Sequence, residues 1–157
     1  MAKVRIEVVP EQEEDVVLFC KALTPAILEL KERLQRSELK PREMLVTLQG
    51  AEYILPFSDI LFFESDGGKT AVHTKSRMYY TDLSLAALSE RLTGDFFRGS
   101  KSCIVNLRRI ASLHRELTGV CEVRFQGCDK NIFVSRMYYK AFRERLDAIR
   151  LGGQKED

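Results

Sequence analysis

Three short polar stretches hold the side chains of this chain that could act on a ligand: Ser100-Lys101-Ser102, Ser135-Arg136, and Asp66-Gly67-Gly68-Lys69-Thr70. Each falls outside an apolar alternation. Lys101 between two hydroxyls is a poor catalytic set, but one long cation flanked by short polar groups suits a base-edge contact beside phosphate contacts. An ordinary surface lysine in a polar turn fits the same residues. Arg136 falls in the first turn of an expected helix, where its charge opposes the positive end of the helix dipole by about a few tenths of a kcal/mol. A nearby phosphate would reverse that cost, because helix N-terminal amides attract anions; a solvated, screened arginine is the plain alternative. Lys69, with Thr70, follows two glycines that let backbone approach a groove closely, although a simple hairpin turn accounts for them equally.

Other chemistries find little support. His73 and His114 lie in strand-like alternations with no neighbouring nucleophile motif, and the carboxylates are scattered. Gly67-Gly68-Lys69 falls far short of a phosphate loop. The four cysteines, Cys20, Cys103, Cys121 and Cys128, show no metal-ligand spacing, so they read as reduced, mostly buried small hydrophobes. Cys121 and Cys128 flank an expected turn and could approach each other. The expectation is therefore a non-enzyme with no cofactor, no metal and no small-molecule substrate.

The net charge of +2 over 157 residues says little. Its distribution says more: between Arg98 and Arg136 eight basic residues, Arg108 and Arg109 among them, stand against three acidic ones, an excess of five. Such asymmetry favours an anionic partner. No apolar run approaches the roughly 18 residues that span a bilayer, so the chain is expected to be soluble and cytoplasmic, without membrane association.

The elements that must position these residues are set by periodicity. Val4, Ile6 and Val8 alternate as a strand, Asp15 to Cys20 can return as a second, and Thr24 caps a helix with Pro25 at its first position, running to about Gln35. Ser37 to Arg42 is polar, holds Pro41, and is the best linker. Strands are then expected at Met44–Gln49, Glu52–Leu55, Ile60–Glu64 and Thr70–His73. Ser84 caps a short helix through Leu92. Strands at Arg109–Arg115, Val120–Phe125 and Asn131–Val134 precede a final helix, begun by Ser135, whose Tyr139, Phe142, Leu146 and Ile149 share one stripe. The fold class is mainly β, of the α+β kind. Domains are expected at 1–41 (a β-β-α extension) and 42–151, with a disordered tail at 152–157.

The stretch Phe96-Phe97-Arg98-Gly99-Ser100-Lys101-Ser102-Cys103-Ile104-Val105-Asn106 resembles the signature of the LytTR family of bacterial DNA-binding domains, F-x-R-x-H-R-S-y-I-V-N. The resemblance spans about Arg42 to Leu151 and includes Asp59-Ile60-Leu61-Phe62-Phe63-Glu64-Ser65 and Val134-Ser135-Arg136. It implies short antiparallel sheets with a small internal helix and a C-terminal helix, whose loops enter successive major grooves of double-stranded promoter DNA. It makes Lys101, Arg136 and the Lys69-Thr70 loop candidate base contacts. Arg98, Ser100 and Ser102 would sit near the DNA backbone, with Ser135 a candidate contact beside Arg136; apart from the resemblance, Arg108 and Arg109 adjoin the signature and would continue a basic edge for phosphates, or be ordinary solvated charges. Asn106 is expected to serve structure.

Two departures matter. The signature histidine is Ser100 here and the following arginine or asparagine is Lys101, so no target sequence transfers from other members. The 41 residues ahead of the match cannot hold a receiver domain, which leaves the expectation of a regulator without one in these residues, acting as a homodimer on repeated sites. The N-terminal residues would either cap the DNA-binding domain or form the dimer contact. The competing reading is a β-rich protein-interaction module or an inhibitor of another regulator.

Overall fold

The structure, a computed structural model, describes Arg5, Val8 and residues 16–39, 42–92 and 94–152. The chain divides into two units, residues 1–35 and 36–157. In the first, Thr24 caps helix α1 (Pro25–Leu39) by accepting a hydrogen bond from Ile27 N at 3.3 Å. The helix continues past Gln35 through residues expected to be a linker. Arg36, Glu38 and Leu39 are good helix formers, and the residue ahead of Pro41 is where a proline disfavours the α conformation. The expected second strand is absent over residues 16–20. Val16, Val17 and Phe19 there are 60%, 66% and 94% exposed, so no buried face sets a strand register. The expected first strand, Val4 and Ile6 included, and the tail at 153–157 lie outside the described residues.

The larger unit is built on β1 (Glu43–Leu48), β2 (Ala51–Pro56), β3 (Ile60–Asp66), β4 (Lys69–Thr74), β5 (Met78–Thr81), α2 (Leu85–Arg91), β6 (Phe96–Ser100), β7 (Cys103–Asn106), β8 (Ile110–Arg115), β9 (Cys121–Phe125), β10 (Asn131–Val134) and α3 (Arg136–Arg150). Seven strands form one sheet in the order β2-β1-β5-β4-β3-β7-β6, and three form another in the order β10-β9-β8. Every pairing is antiparallel. This is the mainly β architecture expected from the sequence, with β6 and β7 added at the signature stretch and β5 added ahead of α2. Its four residues, Met78-Tyr79-Tyr80-Thr81, come after a polar turn and offer too short an alternation to stand out.

Adjacent residues of β3 and β7 point to opposite faces, and both faces are buried. Phe63 and Ile104 join Val46, Val72, Leu85, Leu88 and Leu92 beneath α2. Phe62 and Val105 join Val123, Phe125, Ile132, Val134, Phe142 and Leu146 against the small sheet and α3. This explains why Ile60-Leu61-Phe62-Phe63 is apolar without alternation. Asn106 is 2% exposed and its amide donates to Ile60 O at 2.8 Å, while its Oδ1 accepts from Arg108 N at 3.0 Å. The structural role expected of it is borne out.

Cys121 pairs with Val134 at one end of the β9–β10 hairpin, and Cys128 lies in the turn at the other, roughly 13 Å of strand away. A disulfide needs Cα atoms within about 7 Å, so the two thiols cannot join; both are free. Burial, with the carboxylate of Glu64 adding to it, pushes the Cys103 thiol up to about 12, which keeps it protonated and unreactive.

Candidate nucleic-acid interface

One end of the larger unit gathers three of the predicted cations. Lys101 and Ser102 form the turn between β6 and β7, and the pairing shifts register between Arg98 and Ser100, leaving Gly99 as an extra residue. A bulge of this kind bends a strand and re-aims the residues beyond it. The Gly99 carbonyl accepts a hydrogen bond from Ser135 N at 3.0 Å, which ties the turn to the start of α3. On the other side, Ser102 O accepts from Ser65 N at 2.9 Å, one residue before the Asp66-to-Lys69 hairpin. Main-chain bonds thus fix the Lys101 turn between the Arg136 helix and the Lys69 hairpin.

The turn is held from within. Arg98 donates from Nε to Ser100 O at 3.0 Å and from a terminal nitrogen to Lys101 O at 2.6 Å. Ser100 Oγ accepts from Ser102 N at 3.3 Å and lies 3.4 Å from Ser102 Oγ. Lys101 is exposed. Ser100, Lys101, Ser102, Ser135, Arg136, Met137 and Tyr138 line one open groove of about 650 Å³. Ser135 precedes α3 in extended conformation without its side chain capping the helix. Tyr138 N donates to Ser135 O at 3.0 Å, while the amides of Arg136 and Met137, on residues that line the groove, receive no cap from the Ser135 side chain; helix N-terminal amides of this kind attract anions.

Arg136 is steadied by the β8–β9 turn. Gly119 has a φ of +90°, and a Cβ there would stand 2.8 Å from Arg136 Cδ, closer than real side chains come. Arg115, at the end of β8 opposite Cys121, lies 4.2 Å above the Tyr139 ring and adds a cation to the same end. Two carboxylates of the β3–β4 and β8–β9 turns have partners of their own: Tyr80 Oη donates to Asp66 at 3.3 Å, and Thr118 Oγ1 donates to Glu116 at 3.5 Å.

Four predicted residues are placed differently. Thr70 is 3% exposed and its hydroxyl donates to Leu83 O at 2.8 Å, so it holds the chain after β5 and offers nothing to a ligand. Arg98, half-buried, commits Nε and one terminal nitrogen to carbonyls of the turn. Arg108 and Arg109 come after Asn106, at the opposite end of β7 from Lys101. There Arg108 pairs with Asp95 at 3.1 Å and Arg109 donates to Ser58 O at 2.6 Å, lining a separate cavity with Arg42 and Phe57. A four-residue strand reverses their position relative to the signature turn, which proximity in sequence conceals. Two contributors were missed. Met137 is 80% exposed in the groove; its one sequence signal is an apolar residue off the stripe of α3. Gly119 is legible only as a turn glycine until the structure sets Arg136 against it.

Among the described residues no three His, Cys, Asp or Glu side chains gather to hold a metal ion, and no helix is long and apolar enough to cross a membrane. The family model for the LytTr DNA-binding domain matches residues 51–147. The transcriptional regulatory protein YpdB of Escherichia coli K12 is 26% identical over 124 residues, which cover 78% of this chain and 48% of that protein; YpdB of Shigella flexneri matches to the same extent. The chain spans about half the length of these curated relatives. A solved LytTr DNA-binding domain from Bacillus cereus superposes with a TM-score of 0.63 at 21% identity, covering 68% of this chain and 97% of that one, a likeness of fold.

Proposed function

This chain belongs to the LytTR family of DNA-binding domains, and we propose that it is a cytoplasmic, non-catalytic transcriptional regulator whose loops enter successive major grooves of double-stranded promoter DNA. The observation that carries this reading is the bond from Ser135 N to Gly99 O. It holds the Lys101 turn and the N-terminus of α3 along one groove, so one cation for a base edge and one anion-binding helix end meet the duplex together. Lys69, in the adjoining hairpin, supplies a third contact. Ser100, Ser102 and Ser135 stand where short hydroxyls reach phosphate oxygens. Arg98, Thr70, Arg108 and Arg109 serve the fold in this reading. The domain boundary is placed near residue 42, with the DNA-binding part from there to about 151.

Two copies would bind repeated half-sites, because joining two weak contacts raises affinity without new ones. Helix α1 supports this: Leu30 is 42% exposed, and a second copy would cover it.

The competing reading, a protein-interaction module, draws on a different surface. Leu45 and Ile54 sit opposite each other across β1 and β2 and are 53% and 65% exposed on an edge hairpin. Fluorescence anisotropy of the full chain with duplex from its own upstream region, a scrambled duplex and a randomised pool, across a salt series, separates the two. Preference for particular duplexes with a steep salt dependence, weakened by Lys101→Ala and by Arg136→Ala in folded protein, is expected. Weak, equal binding to all three duplexes would instead favour the protein-interaction reading.

A further inference from the structure

Helix α3 commits its apolar stripe, Tyr139, Phe142, Leu146 and Ile149, to the core. Met137 lies on the opposite side at 3.6 residues per turn and is 80% exposed. Packing within the chain gives no reason for an apolar side chain there. Its surroundings give one: Met137 lines the same groove as Ser100, Lys101, Ser102 and Arg136. Lysine and arginine donate hydrogen bonds, which read the acceptors of guanine and leave the 5-methyl of thymine unread. That methyl is the apolar feature of the major-groove edge. A flexible, polarisable thioether side chain in the first turn of the helix is suited to meet it, and the uncapped helix end would anchor a phosphate close by.

We propose that Met137 is a specificity-determining residue that packs against the 5-methyl group of a thymine next to the base met by Lys101 or Arg136. The inference rests on the DNA-binding reading and deepens it. It assigns the apolar floor of the groove to one base, while the cations select the neighbouring base and hold the backbone.

The experiment uses the full chain. Duplexes are enriched from a randomised pool, and each thymine of the enriched site is replaced in turn by deoxyuridine, which removes the methyl and nothing else. Wild-type protein is expected to lose about fourfold in affinity at one position, the ratio expected for one buried methyl. Met137→Ala is expected to bind the thymine duplex about as weakly as wild type binds that uracil duplex, and to be indifferent to the replacement. Met137→Leu is expected to retain the sensitivity. Because Met137 is exposed, an unchanged melting temperature of Met137→Ala certifies the comparison. Binding that depends on Lys101 yet tolerates uracil at every position would overturn the role of Met137 alone. So would a Met137→Ala profile identical to wild type. If no duplex is enriched, or if enriched binding is indifferent to Lys101→Ala, the DNA-binding reading fails and this inference with it.

Discussion

Lys101 presents a single ammonium where an arginine would present a planar fork, so in the proposed DNA-binding role it would discriminate guanine through one point of contact. Lys101→Ala is expected to weaken the preferred duplex by about 1–3 kcal/mol, and Lys101→Arg to sharpen preference for guanine at one position; anisotropy with single-base variants checks both. A second residue controls stability rather than binding. His73 stacks on Phe62 at 4.2 Å, its Nε2 is buried without a hydrogen-bond partner, and its Nδ1 lies 3.4 Å from Lys130 Nζ. Burial foremost, and then the charge of Lys130, lowers its pKa from 6.5 to about 4. The folded state therefore holds the neutral ring where the unfolded chain takes up a proton. Stability is full above pH 6.5, declines as pH falls toward 4, and levels off below it. Urea titrations at pH 7 and 4.5 should show that loss in wild type and a smaller one in His73→Phe. Lys101, Ser102 and Arg136, which the structure brings to one groove, could be singled out in the sequence because residue type and polar setting are local properties. The burial of Thr70 and the carbonyl bonds of Arg98 were not legible, because partners at Leu83 O and at the carbonyls of the next turn are set by folding.

At the scale of elements, the β8–β9 turn acts on α3 through a missing side chain. Gly119→Ala would put a Cβ into Arg136 and a non-glycine residue at φ +90°. It is expected to destabilise the protein by about 1 kcal/mol or more and to weaken DNA binding by displacing Arg136. Arg136→Ala alone should reproduce the binding loss at unchanged melting temperature. Most elements were legible. The caps at Thr24 and Ser84 accept the hydrogen bonds expected of them, from Ile27 N and Ala87 N, and the stripe of α3 packs as its spacing predicts. What sequence left out depended on pairing. β5 exists as a strand because β1 and β4 flank it. Residues 16–20, with comparable apolar content, form none.

Considered as a whole molecule, the charge excess between Arg98 and Arg136 is not one surface. The strand β7 divides it, with Lys101 at one end and Arg108 and Arg109 at the other. Counterion release makes this measurable, since each phosphate contact contributes about 0.9 to the slope of log K against log salt. Arg136→Ala is expected to lower that slope by about one. Arg108→Ala and Arg109→Ala should leave it unchanged while lowering the melting temperature. If α1 joins two copies, Leu30→Glu is expected to halve the mass found by light scattering and to weaken binding to paired sites far more than to a single half-site. Arg98 carries a consequence for how this molecule can change over time. It grips the carbonyls of Ser100 and Lys101, which every amino acid possesses, so the shape of the turn depends little on which side chain stands at 101. If the chain reads DNA as proposed, a substitution at 101 would therefore exchange one operator for another without first disturbing the scaffold, and a regulator so built would be retargeted in single steps.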